Sequence, residues 1–228
     1  MSNVYDQDGL RSIHNHEFMS DPAFLAAYGR GIQAVGGGYG WHWRVYTGLW
    51  AAATAAKLPG DFIEFGVNRG FLSSAIMQFL DWNATGRTFY LLDTFTGVDL
   101  RYVSAEDLAK GVVEQNEKMI KSGFYTLDVE PVRRNFAEWP NVRIIVGPVP
   151  ETLPQIDSRM VAFVHIDMNC APPRSLRPNM SGTSWYPEQS CFSMTTPMTA
   201  IVLKSLRLTN SPARRTSGCC RYPLDRGW

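Results

Sequence analysis

The chain has 228 residues, 45% of them hydrophobic and 19% charged, with a net charge of +1. That length carries one domain with a substantial core, and the near-neutral balance gives no electrostatic case for nucleic acid or a membrane surface as partner. No apolar run reaches the length of a membrane span, no leader is expected, and Cys170, Cys191, Cys219 and Cys220 have neither zinc nor CxxC spacing, so a cytoplasmic, reducing setting is expected.

The charge is uneven. Residues 174–228 hold eight basic and two acidic residues, whereas residues 1–173 hold 14 basic and 19 acidic. The chain is therefore divided into an N-terminal arm and helix (1–38), a core (39–173) and an irregular basic tail (174–228).

Residues 1–20 are polar and mixed and read as a mobile arm. Asp21 and Pro22 supply an N-cap and an N1 proline. Phe24, Leu25, Tyr28 and Ile32 then repeat at helical spacing until Gly36-Gly37-Gly38. His14 and His16 have no second cluster to complete a metal site. His42, in the aromatic stretch 39–46, reads more readily as packed than as a substrate contact. Residues 45–57 are Ala-rich and helical, and Leu58-Pro59-Gly60 stops them.

An apolar strand at 62–65 then runs into Gly66-x-x-x-Gly70, with Glu64 just ahead of the turn and a helix at 71–82 behind it. Gly66 permits a tight turn with space for a ligand on the backbone, and the helix start offers free N–H groups. The pattern is not the dinucleotide fingerprint G-x-G-x-x-G. It reads as motif I, E-x-G-x-x-x-G, of a class I S-adenosylmethionine (AdoMet) methyltransferase. That ligand carries an amino-acid zwitterion and no pyrophosphate, so an acid at the turn is useful to it.

A second strand at 88–92 ends in Asp93-Thr94-Phe95. An acid at that tip suits a ribose diol, because a carboxylate accepts two hydroxyl hydrogen bonds. Residues 96–103 form a candidate lid over this edge. Ser104 caps a helix to about Lys121, and 128–139 holds a shorter one. A third strand at 142–146 ends at Gly147, placed to approach an adenine ring, and a fourth at 161–166 ends at Asp167. Strands alternating with helices predict an α/β fold with a doubly wound parallel sheet, Rossmann-like, whose ligands bind at the carboxyl ends of the strands.

Together with the segment His165-Ile166-Asp167-Met168-Asn169-Cys170, the stretches GDFIEFGVNRGFLSS, YLLDTFTGV and VGPVPETLP resemble the macrocin/mycinamicin/noviose sugar O-methyltransferase family over about residues 40–173. The resemblance implies AdoMet- and Mg²⁺-dependent methylation of a hydroxyl on a sugar or glycoside. The cofactor-binding set is then Glu64, Phe65, Gly66, Gly70, Ser73, Asp93, Thr94, Phe95, Gly147 and Asp167, with Asp167 also the first metal ligand. No catalytic base is assigned, and a homo-oligomer is compatible with the pattern. The family's adjacent Asp-Asp pair on the next strand is missing, so the Mg²⁺ site is incomplete. The alternative function is a non-catalytic AdoMet-binding remnant with a basic tail. A nicotinamide-dependent oxidoreductase is disfavoured by Glu64.

After Pro173 the resemblance stops. The genetic code supplies a reason, a frameshift. Read from the third base of each codon, Trp185-Tyr186 must give Val, and Met194-Thr195 and Met198-Thr199 must each give Asp. With permitted bases elsewhere, 180–205 reads VWDKLVPGAVVLLDDYAYDGYRAQK, which contains the missing pair. The tail as it stands is expected to be mostly irregular. Only residues 201–208 have the composition of a short element, and the fourth strand is expected to be an unprotected edge with impaired activity.

Overall fold

In the computed structural model residues 4–168 are described throughout, and 192–194 and 199–207 as backbone strands. The chain opens with a hairpin, β1 (Tyr5–Gln7) and β2 (Leu10–Ser12), followed by α1 (Pro22–Val35) and α2 (His42–Ala55). Next come β3 (Asp61–Phe65), α3 (Phe71–Phe79), α4 (Trp82–Thr85) and β4 (Phe89–Asp93). Helices α5 (Ala105–Ala109), α6 (Val112–Lys121) and α7 (Glu130–Asn135) lead to β5 (Val142–Val146), α8 (Val149–Thr152) and β6 (Met160–Asp167). Strands β7 (Phe192–Met194) and β8 (Thr199–Arg207) close the series.

The main sheet has the order β5-β4-β3-β6-β8-β7. Strands β5, β4, β3 and β6 are parallel, β8 runs antiparallel to β6, and β7 antiparallel to β8. Side-chain alternation splits the core in two. Phe62, Phe89, Leu91 and Phe163 pack on one face with residues of α1, α2 and α3, and Ile63, Phe65, Tyr90, Leu92 and Val164 form the other cluster. A register shift lies between Val161 and Phe163, opposite the Asp61–Phe62 step. Phe163 belongs to the same cluster as Phe62, with ring centroids 4.9 Å apart.

Local signals explain most boundaries. Asp21 accepts the N–H of Phe24 at 2.9 Å, and Gly36 ends α1 in the left-handed conformation. Ser104 and Asp107 form a reciprocal capping box. The single helix expected from 104 to about 121 is two, because Gly111 takes a left-handed φ of 74° between α5 and α6. The helix expected over 71–82 stops at Phe79, and Asp81 turns left-handed before α4.

Two expectations are corrected. The N-terminal arm is docked on the rest of the fold. Tyr5 is buried and donates its hydroxyl to the Gly40 carbonyl at 3.1 Å. Asp8 takes two hydrogen bonds from the Arg44 guanidinium, at 2.8 and 3.0 Å. The polar composition of 1–20 hid this, because each partner lies about 35 residues downstream. The other correction concerns β6, which is not an edge. Thr199–Arg207 pairs along it from Asp167↔Thr199 to Met160↔Arg207. An open strand edge templates pairing, and Thr199, Ile201 and Val202 are β-branched and suited to it. The remainder of the tail, including Trp185 and Trp228, lies outside the described residues.

Candidate active site

A cavity of about 370 Å³ opens at the carboxyl ends of the parallel strands, within the range of small-molecule sites. Each strand sends a residue to it: Glu64 from β3, Asp93 from β4, Asp167 from β6, and Gly147 directly after β5.

Glu64 is 3% exposed. His165 Nδ1 lies 2.8 Å from its Oε1, and since a carboxylate only accepts, the ring donates there. The other oxygen, Oε2, is buried and has no hydrogen-bond partner among the described residues. A buried carboxylate oxygen without a donor is costly. Glu64 lines the cavity, so a cationic ligand group there would satisfy it.

Gly66 turns the chain at φ 84°. A Cβ on it would collide with the backbone carbonyl of Asp167, so the ends of β3 and β6 come together only because this residue is glycine. Gly70 does not line the cavity. It is glycine because its φ is 81° and a Cβ would lie 2.5 Å from the Phe136 ring.

Asp93 is held on both oxygens. Oδ2 accepts the N–H of Asn68 at 2.7 Å, and Oδ1 accepts that of Phe95 at 2.9 Å. Each oxygen keeps a further lone pair, the arrangement a vicinal diol would use. Thr94 Oγ1 donates to the Gly97 carbonyl at 2.6 Å and closes the turn behind it. The Gly147 N–H donates to the Asp93 carbonyl at 2.9 Å and brings Gly147, Pro148 and Val149 to the cavity wall alongside.

The segment expected as a lid supplies Gly97, Val98, Asp99 and Tyr102 to the cavity. It is tied to α8: Arg101 bridges Asp99 at 2.6 Å and Glu151 at 2.9 Å, and Tyr102 donates to Glu151. The Arg101 hydrogen bond holds the Asp99 carboxyl below its ordinary value, and the bond to Glu151 pushes the Tyr102 hydroxyl up.

Besides Gly70, three residues of the expected set do not line the cavity. Phe65 is buried in the cluster with Ile63, Tyr90 and Leu92, on the alternate face from Glu64. Phe95 is buried in the helix-side core, with φ 51°. Ser73 is fully buried, with no partner for its Oγ among the described residues.

Others come to the site unforeseen. Tyr39, Trp41, Arg44 and Phe71 line it near Val67, and Asn68, Phe124, Tyr125 and Thr126 close another side. The aromatic run 39–46 was the one sequence signal for this wall. His42 is not part of it. Its ring stacks on Tyr28 with centroids 4.4 Å apart and donates to Gln7 Oε1, and burial lowers its pKa.

The residues present fit AdoMet, on the orphaned Glu64 oxygen and the doubly held Asp93. The described residues alone do not fit Mg²⁺. Among the described residues no group of three His, Cys, Asp or Glu stands where it could hold a metal ion, and Asp167 alone does not make a divalent-cation site. No helix among the described residues is long and apolar enough to cross a membrane.

A glycine turn at an inner parallel strand, an acid just ahead of it and an acid at the tip of the next strand meet at one cavity, and they define an α/β protein with a small-molecule site at the carboxyl edge of its sheet. The family model of macrocin-O-methyltransferase (TylF) matches residues 47–171, more than half of the sequence, and the chain belongs to that family of O-methyltransferases. Among solved structures, one titled "Structure of the O-methyltransferase NovP" is similar over 67% of this chain and 73% of its own, at 20% identity and a TM-score of 0.48. No curated protein matches.

Proposed function

We propose that the cavity binds S-adenosylmethionine and that the fold is built to transfer its methyl group to a hydroxyl of a sugar or glycosylated small molecule. The observation that carries this reading is Glu64: a buried carboxylate facing the cavity with one oxygen unpartnered. That oxygen would accept the ligand's ammonium group while His165 holds the other in place. Asp93 would take the two ribose hydroxyls on its remaining lone pairs, and Thr94, Gly147 and Val149 would flank the base. AdoMet supplies a sulfonium methyl, whose transfer breaks the S–C bond, forms an O–C bond and releases S-adenosylhomocysteine and the hydroxyl proton. The sheet order supports a position for the acceptor. Strands β4 and β5 hold the nucleoside end and β3 the amino-acid end. The acceptor therefore comes to the β6 side, near Asp167, where the chain's role is to orient a hydroxyl and exclude water.

We further infer that residues after about Pro173 are translated out of frame and that the printed chain has little methyl transfer. The support is the Asp-Asp pair that appears in the alternative frame, at the end of an apolar stretch, where the resemblance implies such a pair. The coding DNA across Pro172–Arg174 tests this directly. An intact frame in source material refutes it. A lost or gained base predicts that the repaired chain acquires Mg²⁺-dependent methylation. Calorimetry with S-adenosylhomocysteine tests the cofactor reading in the chain as printed. Binding should be present and should weaken about tenfold to a hundredfold in Glu64→Gln, which loses a charge-assisted hydrogen bond. No binding by the wild-type chain would refute the reading.

A further inference from the structure

Asn68 stands at an unassigned position inside the glycine turn, and its backbone is left-handed, with φ 50°. Asparagine is one of the few L-residues that adopt this conformation readily. Its backbone N–H is the group that holds Asp93 Oδ2. Its side chain points elsewhere. Nδ2 donates to the Phe124 carbonyl at 3.0 Å, and Oδ1 accepts the Thr126 N–H at 2.9 Å. A carboxamide carries a donor and an acceptor side by side. It therefore pairs with the 124–126 backbone as a neighbouring strand would.

The neighbouring Arg69 adds a hydrogen bond to the Gly123 carbonyl at 2.9 Å. The segment fixed in this way supplies Phe124, Tyr125 and Thr126 to the cavity wall. The Phe124 ring also meets Tyr39 and Trp41 edge-on, at 5.7 and 6.2 Å between centroids. Three stretches distant in sequence, the glycine turn, the tip of β4 and residues 123–126, are thus joined at one residue.

We propose that Asn68 is the positioning residue of the cofactor pocket: its main chain orients the acid expected to grip the ribose, and its side chain fixes residues 124–126 as the wall that closes over the ligand. The inference rests on the AdoMet reading. It goes further by assigning the wall and its holder. A purely structural asparagine would affect folding and leave ligand-linked behaviour of the wall unchanged.

The test uses the full chain, S-adenosylhomocysteine as probe, and two variants. Asn68→Gly keeps the left-handed backbone and the N–H to Asp93 but removes both side-chain bonds. Asn68→Asp keeps the acceptor for Thr126 and loses the donor to Phe124. Calorimetry should show the dissociation constant rising about tenfold in Asn68→Gly, the scale of two lost hydrogen bonds with partial compensation by water, and at least as far in Asn68→Asp. Hydrogen exchange gives the readout that a structural role would not move. In the wild type the Thr126 amide should exchange slowly and be slowed further by the probe. In Asn68→Gly it should exchange fast with or without it. Should Asn68→Gly fold poorly, Asn68→Asp carries the affinity measurement, with the same twofold limit, and the exchange readout is taken on the wild type with and without the probe. Probe affinity within twofold of wild type in Asn68→Gly, or Thr126 exchange indifferent to the probe in the wild type, overturns the proposal and leaves the cofactor reading standing. No binding by the wild type overturns both.

Discussion

Replacing Gly66 with alanine should separate close backbone approach from conformational strain. Two costs apply. At φ 84° an L-residue costs roughly 1–2 kcal/mol. The added methyl would also lie 2.7 Å from the Asp167 carbonyl carbon and closer still to its oxygen. Backbone cannot rotate away as a side chain can, so β3 and β6 must part, and overpacking of this kind costs about 1–3 kcal/mol. The sum is about 2–5 kcal/mol, a large share of a domain's usual stability. Gly86 is an internal control. Its φ is 66°, yet a Cβ there meets nothing within 4 Å. Gly86→Ala should cost the conformational part alone. Urea denaturation of the two variants beside the wild type reads the difference directly. If Gly66→Ala falls within about 0.5 kcal/mol of Gly86→Ala, a gap no wider than that of a neutral surface change, the β3–β6 contact is not as tight as described and the argument fails.

His42 should make stability depend on pH. Burial holds its folded-state pKa below 6.5, so the unfolded chain binds the proton more readily. Stability is then full above about pH 6.5 and is lost as pH falls through the folded-state value. Melting temperatures at pH 5.5 and 7.5 should differ in that sense, and His42→Gln should reduce the difference. Arg101→Met should free the 96–103 segment from α8 and speed release of S-adenosylhomocysteine in stopped-flow. Added salt should do the same to the wild type and nothing further to the variant. The Arg101 hydrogen bond holds the Asp99 carboxyl below its ordinary 3.8, so the Asp99–Arg101 pair should stay intact above about pH 4 and be lost only as pH falls through the lowered value; an NMR titration of the Asp99 carboxyl with a midpoint at or above 3.8 would contradict this. Truncation after Pro173 removes the strand paired with β6. The shortened chain should associate through the bared edge, and a monomer by light scattering would refute that.

The parts of the site that lie at strand ends were legible in the sequence. Glu64, Gly66, Asp93, Gly147 and Asp167 share the cavity because a parallel sheet with alternating helices brings every strand's carboxyl end to one edge. The pattern could not say which neighbours of those residues face the cavity. Phe65 and Phe95 flank motif acids yet point into the two cores, since strand alternation and a left-handed turn send them there. Asn68 was illegible for a different reason. Its importance lies in a positive φ and in partners more than 55 residues away, neither of which leaves a local signature. The same holds for Tyr5 and Asp8, whose partners on 40–44 are fixed only by tertiary packing. In the tail, β8 falls on the one stretch, 201–208, whose composition suited a short element, and begins two residues ahead of it; what the sequence did not show is that this strand would pair with β6.

The central strand of the sheet also sets a timetable for synthesis. Glu64 and His165 are partners in adjacent strands, yet 101 positions separate them. A ribosome adding about 5–20 residues per second needs roughly 5–20 s to cover that distance. Throughout that interval the flank of β3 destined for β6 has no strand to meet, and Phe62 waits for Phe163. Hairpins and helices upstream can form within microseconds, so the nascent chain emerges as a half-built sheet with that edge of β3 open. The demand this places on a cell is for a holding chaperone during elongation, and a pause in translation between residues 65 and 160 would lengthen the exposure in proportion.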